Sequence, residues 1–205
     1  MKNDYVIATG GDLLPETLLS AYMQGFFPWY NDDEPILWHS PDPRMVIFPE
    51  KLHISHSMQK ILDKNIFTVT INRDFASVIC NCAGIERPRQ GGTWINGDII
   101  AAYTELHRLG FAVSAESWLE GNLVGGCYGI LLASKKCQRK AFFGESMFSR
   151  TPNASKAAFL TLAQKLFAGG AAFIDCQVPT EHLYSLGGEL ISRKKFLQLL
   201  RETVG

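Results

Sequence analysis

The sequence of 205 residues predicts an α+β fold, a mixed sheet covered by helices with a small N-terminal domain docked on it. Two observations carry that prediction. Strand-like stretches at 112–118, 123–133 and 141–145 follow one another across short turns, as antiparallel neighbours do. A long helical stretch at 156–167 then leads to an apolar strand at 172–178, the layout of a crossover. The first sixty residues lack this regularity. The chain is therefore divided into an N-terminal domain at 1–62, rich in aromatic and proline loops, and a larger domain at 63–205.

Pro15 opens an amphipathic helix on which Leu14, Leu18, Leu19 and Tyr22 recur near helical spacing, and Gly25 stops it. The stretch FFPWYNDDEPILWHSPDPR holds four prolines and five aromatics, which exclude a long helix or a central strand. It reads as a structured loop packed on a neighbour, followed by a short strand at 45–48. Phe67–Asn72 alternates as a strand, and Asp74 caps a helix that runs to Cys82. The loop GIERPRQGGTW leads to a helix at 98–109, closed by Gly110. After the three consecutive strands, Asn153 or Ser155 caps the long helix, which ends at Gly169 and Gly170. Thr180 caps a short helix and Ser192 the last one. No internal repeat or low-complexity tract is present.

Twenty basic and twenty acidic side chains cancel, which excludes a protein basic all over, the usual nucleic-acid binder. The cancellation is uneven along the chain. Residues 1–43 carry seven acids and one base, whereas 121–170 carry seven bases and a single acid, Glu145. No apolar run is long enough to span a membrane, and the first residues lack a signal-peptide layout. The five cysteines show no zinc-type pairing, and His53 and His56 have no ligand-spaced partner, so no metal is expected. Reduced thiols in a cytoplasmic protein are the expectation.

Chemistry is concentrated in a few segments. In AAFIDCQV, Asp175 and Gln177 share one strand face while Ile174, Cys176 and Val178 share the other. An acid in so apolar a strand is costly unless it is paired or lines a cleft. It is either a structural carboxylate or half of a carboxylate–amide pair facing a site. The segment GESMFS nearly matches a nucleophile elbow, but Phe148 stands where the second glycine belongs. Glu145 there is either a salt-bridge partner of Arg150 or another neighbour, or a substrate contact. Lys135, Lys136, Arg139 and Lys140 form a basic hairpin, a solvated turn or a set of phosphate contacts. Trp29, Trp38 and Trp94 sit in loops, as covers of the core or as a wall for a stacked base. The glycines of LVGGCYG lack the following helix of a phosphate loop and mark a bulge or a close approach by a ligand.

The order of elements resembles the acetyltransferase-like (GNAT-like) topology. The blocks AYMQGFFPW, ILWHSPDPR, GTWI, LVGGCYG, GESMFSR, NASK and IDCQV, in this order and over nearly the whole chain, are similar to the leucyl/phenylalanyl-tRNA–protein transferase family. That resemblance implies transfer of Leu, Phe and to some extent Met from aminoacyl-tRNA to the N-terminal Lys or Arg of acceptor proteins. The products are then degraded through the N-degron pathway. It also implies no metal or cofactor, and a small N-terminal domain on a GNAT-like one. By the same resemblance Asp175 and Gln177 are the catalytic pair, with the tRNA's terminal adenosine as the rival carrier of the proton. Trp29, Trp94 and Glu145 match residues around the adenosine and aminoacyl group. Cys127, Phe142, Phe159 and Leu162 match the apolar side-chain pocket, with Cys127 smaller than the familiar methionine and Leu162 in place of an aromatic.

Two other functions use the same features. A CoA-dependent N-acetyltransferase would share the topology, but SRTPNASK has no glycine with which to cradle a pyrophosphate. A non-catalytic tRNA-binding module would use the basic and aromatic residues but has no use for a polar pair inside IDCQV.

Overall fold

The computed structural model describes residues 5–85, 94–134 and 138–205. The chain begins with strand β1 (Val6–Thr9), helix α1 (Pro15–Met23) and two very short strands, β2 (Phe27–Pro28) and β3 (Leu37–His39). β3 pairs with β1 on one side and β2 on the other, making a small antiparallel sheet. The prolines of this region keep each strand short. Pro15 occupies the first turn of α1, where its missing N–H has no partner to lose, and Gly25 follows the helix at φ +83°.

β4 (Arg44–Ile47) leaves this small sheet and enters the large one, with all four residues buried. Composition groups this segment with residues 1–62, but a run buried on both faces requires the interior of a sheet. α2 (His56–Asp63) starts at Ser55, whose hydroxyl accepts from the Met58 N–H at 3.3 Å, while His53 and His56 are exposed. The remaining elements are β5 (Thr68–Ile71), α3 (Phe75–Ala83), α4 (Gly97–Arg108), β6 (Ala112–Leu119), β7 (Asn122–Ala133), β8 (Lys140–Ser149), α5 (Ala154–Ala168), β9 (Ala171–Gln177), α6 (Glu181–Ser185), β10 (Glu189–Ile191) and α7 (Arg193–Val204).

Seven strands form the main sheet in the order β10-β4-β9-β8-β7-β6-β5. Every neighbouring pair is antiparallel except β8 and β9, which are parallel and joined by α5 as the crossover. This is the mixed α+β sheet with a small N-terminal part that the sequence predicts. One face is covered by α1, α3, α4 and α7, around Tyr22, Val78, Tyr103, Phe143 and Phe196. The other is covered by α2 and α5, around Ile47, Met58, Phe142, Leu160 and Ile174.

Helix starts follow their local chemistry. Asp74, Thr180 and Ser192 each accept a backbone N–H from the first turn they cap. Asn153 does not; it sits at φ +69° without a cap bond, and the Ser149 hydroxyl accepts from the Ser155 N–H at 3.2 Å instead. β8 runs to Ser149, beyond the expected end at Glu145. The segment GESMFS is therefore plain strand, not an elbow. A bulge between Tyr128 and Gly129 marks the glycine-rich strand. A Cβ on Gly129 would collide with the Phe143 carbonyl oxygen, and one on Gly125 would lie 2.6 Å from the Ala154 side chain. These glycines admit the protein's own chain, rather than a ligand.

Candidate active site

The end of β9 shapes the site. Its alternation puts Phe173 and Asp175 toward α7, and Ile174 and Cys176 toward α5. Asp175 is fully buried, and Arg44 meets it with two prongs: Nε donates to Oδ1 at 2.8 Å and Nη2 to Oδ2 at 2.6 Å. The arginine comes from β4, which lies directly beside β9 in the sheet. Its guanidinium lies over the rings of Phe27 at 5.0 Å and Phe196 at 4.5 Å. The Gln177 N–H donates to Oδ1 of Asp175 at 3.0 Å. This bond accompanies a left-handed turn at Gln177, φ +59°, which ends the strand and directs the glutamine away from the pleat. The two residues are therefore joined through the backbone of Gln177, with its side chain left free for another task.

That side chain reaches Glu145 on β8, with Nε2 3.4 Å from Oε1. Glu145 is also within hydrogen-bonding distance of the Tyr22 hydroxyl, 2.7 Å from Oε1, and of the Tyr103 hydroxyl, 3.3 Å from Oε2, and the two hydroxyls touch each other. Burial pushes the Glu145 carboxyl up to about 8, reinforced by the charge of Asp175 and opposed by the tyrosine hydrogen bonds. Burial, followed by the nearby Glu145, holds both tyrosines well above their ordinary range. Arg150 is not the partner of Glu145; it donates to Asn81 at 2.5 Å.

Glu145 and Gln177 stand in the wall of a cavity of about 350 Å³, at the lower end of small-ligand sites. Its remaining surface is largely apolar and aromatic. Phe27 comes from β2 and Trp29 from the loop after it, Trp94 from the approach to α4, Cys127 and Phe142 from β7 and β8, and Phe159 from α5. Seven of the expected residues are thus brought together: Trp29, Trp94, Cys127, Phe142, Glu145, Phe159 and Gln177. Asp175 lies behind the wall. Leu162 is not in the wall either; one turn beyond Phe159, it packs in the core beneath α5. Trp38 is buried and donates to the Gly10 carbonyl at 2.9 Å, as a core cover does.

Of the basic hairpin, Arg139 and Lys140 close the β7–β8 turn, and Lys135 and Lys136 lie outside the described residues. Lys140 and Glu145 lie five positions apart on β8, about 17 Å at the usual rise. Sequence reasoning missed Arg44, Tyr22, Tyr103 and His182 as parts of the site. The first two stand inside the motifs SPDPR and AYMQGF, whose composition signals a loop and a helix end but no role for either side chain; Tyr103 carries no local signal. His182 lies in the cavity wall on α6, and burial lowers its pKa. Among the described residues no group of three or more metal-ligating side chains occurs, and no helix is long and apolar enough to cross a membrane.

The family profile of leucyl/phenylalanyl-tRNA protein transferase matches residues 46–201, and the profile of that family's N-terminal domain matches 11–42. The leucyl/phenylalanyl-tRNA–protein transferase of Syntrophobacter fumaroxidans is 52% identical over 203 residues, covering 99% of this chain and 84% of that one. The one from Myxococcus xanthus is 50% identical, over 95% of this chain and 81% of its own. Among solved structures, a ribosomal-protein-alanine N-acetyltransferase from Brucella melitensis aligns with a TM-score of 0.40 at 19% identity, over 58% of this chain and 86% of that one. On the family profile and these identities, the chain belongs to the leucyl/phenylalanyl-tRNA protein transferase family.

Proposed function

We propose that this protein transfers leucine, phenylalanine and, less readily, methionine from aminoacyl-tRNA to acceptor proteins whose N-terminal residue is Lys or Arg. The observation that carries the reading is one polar pair, Gln177 and Glu145, in a largely apolar cavity whose wall also holds Trp29 and Trp94. The aromatic entrance suits the terminal adenosine, since a base stacks on an indole. The apolar wall of Cys127, Phe142 and Phe159 suits a leucyl or phenylalanyl side chain and selects by volume. Lys140, about 17 Å along the strand from Glu145, and Arg139 beside it suit phosphates of the tRNA body.

The donor is an activated ester, so positioning and proton transfer suffice. The acceptor's α-ammonium loses one proton and its nitrogen attacks the ester carbonyl carbon. The C–N bond forms, the bond to the adenosine 3′-oxygen breaks, and that oxygen leaves with the nitrogen's remaining surplus proton. In this reading Gln177 orients the attacking amine, and Asp175, fixed by Arg44, holds Gln177 in place. No metal or cofactor takes part, the enzyme works in the cytoplasm away from membranes, and its products are marked for N-degron degradation.

CoA chemistry suits the site less well. The Ala154 N–H is bonded to the Thr151 carbonyl at 3.1 Å and the Ser155 N–H to Ser149, so two donors at the head of α5 are already engaged. The reading is tested with leucyl-, phenylalanyl- and methionyl-tRNA offered to peptides beginning with Lys, Arg or Ala. Mass spectrometry should find one added residue on the Lys and Arg peptides alone. Equal extension of the Ala peptide would remove the acceptor rule.

A further inference from the structure

Glu145 in the cavity wall meets two buried tyrosines in a closed triangle. The Tyr22 hydroxyl lies 2.7 Å from Oε1 of Glu145, the Tyr103 hydroxyl lies 3.3 Å from Oε2, and the two hydroxyls are in hydrogen-bonding contact. Both tyrosines are fully buried. Each of the three contacts needs one proton between its oxygens. Two hydroxyls supply two protons, and an ionised carboxylate supplies none. With Glu145 ionised, the two protons can fill Tyr103 to Tyr22 and Tyr22 to Oε1, but the 3.3 Å contact between Tyr103 and the anionic Oε2 is then left with no proton between its oxygens. With Glu145 protonated the count closes: Oε2–H donates to Tyr103, Tyr103 to Tyr22, and Tyr22 to Oε1.

We propose that Glu145 works as a neutral carboxylic acid, closed into a ring with Tyr22 and Tyr103, and that this ring positions Gln177 to meet an uncharged amine. The functional half of the proposal rests on the aminoacyl-transfer reading above. Within the ring Oε1 remains an acceptor and takes the Gln177 Nε2 donor as well. The amide is thereby fixed with its oxygen turned away from Glu145, as an acceptor for the N–H of an incoming amine. An anion at Glu145 would have the opposite effect on that amine. A nearby negative charge favours the ammonium form, which is no nucleophile, and a free α-amino group titrates at about 7.7–8.0. A neutral acid removes that bias.

The surroundings agree. Tyr22 from α1, Tyr103 from α4, and Gln177 and Asp175 from β9 face Glu145, and Arg44 from β4 is the nearby cation. The arginine is committed to Asp175 by two hydrogen bonds, so among the described residues no cation is paired with Glu145. Burial holds its carboxyl at about 8, on the same side. Glu145 is in this sense a positioning residue.

Glu145→Gln reproduces a neutral acid, with one carbonyl acceptor and an N–H donor in place of the O–H. The test compares it with the wild-type protein in two ways. The infrared difference spectrum of the free proteins at about pH 6.5 should contain a protonated-carboxyl C=O band that belongs to wild type and disappears above about pH 9, on either side of the value near 8. In transfer assays Glu145→Gln should keep kcat within about tenfold of wild type at that lower pH. The ratio of variant to wild-type rate should rise as pH passes 8, because only the wild type loses the ring proton there. Taking the ratio cancels the titration of the acceptor amine, which both enzymes share. Absence of the band, a flat ratio, or a loss beyond about tenfold at the lower pH overturns the proposal. If wild type transfers nothing from aminoacyl-tRNA, the functional reading fails while the spectrum still decides the proton.

Discussion

Arg44 and Asp175 form an ion pair closed off from water, with hydrogen bonds of 2.8 and 2.6 Å and no exposed surface on either side chain. The pair joins two stretches of chain separated by 131 residues, at the seam where β4 enters the main sheet beside β9. Arg44 also donates to the Gly25 carbonyl at 3.3 Å, which ties the end of α1 to the same point. Isolated buried charge is costly, and paired charge much less so.

Arg44→Met is therefore expected to cost about 3–5 kcal/mol in urea unfolding, because it strands the Asp175 carboxylate. The double variant Arg44→Met/Asp175→Leu removes both charges and should recover much of that loss. If the double variant is as unstable as the sum of the two singles, the pair contributes no coupling.

Asp175→Asn keeps the shape of the side chain but weakens its hold on Arg44 and on the Gln177 N–H. Turnover should fall by about a hundredfold, the scale of a misplaced group, with tRNA affinity little altered. Stopped-flow transfer and filter binding separate the two effects. A folded variant with wild-type turnover would take Asp175 out of catalysis.

The cavity discriminates by volume, and Cys127 is a small residue in its wall. Cys127→Met should reduce kcat/KM for phenylalanyl-tRNA more than for leucyl-tRNA, shifting their ratio by about tenfold or more. An unchanged ratio would mean that the aminoacyl side chain lies elsewhere.

Replacing Arg139 and Lys140 together by Ala should weaken tRNA binding equally for every amino acid carried. The plot of log affinity against log salt should become shallower by about 0.7–0.9 for each phosphate no longer neutralised. A slope equal to wild type would leave these residues as a solvated turn.

Much of the molecule is legible in the sequence, for identifiable reasons. Period, caps and turns locate α1, α3, α4 and the β6–β7–β8 run, because Asp74, Gly110 and the short turn at Glu120 and Gly121 act locally. The central place of β4 is not legible. Four residues after a proline-rich loop show what a strand is made of, but not which strands it lies between. The cavity residues Trp29, Trp94 and Gln177 stand out as polar or aromatic groups in unusual company. The partner of Asp175 does not, since Arg44 is 131 residues away and only the sheet register brings them together. Tyr103 is likewise one apolar-face residue of an amphipathic helix until α4 packs its hydroxyl against Glu145. Asn153 misleads, because a good capping residue can also take the left-handed turn, and Ser149 then does the capping.

The central claim is that the activated donor is an aminoacyl ester on tRNA. It is tested most directly by offering one peptide with N-terminal Arg to the purified protein in two reactions, with labelled leucyl-tRNA or with labelled acetyl-CoA as donor. Leucine joined to the peptide's α-amine is expected in the first reaction, and no label on the peptide in the second. Label from acetyl-CoA, or from neither donor, would contradict it.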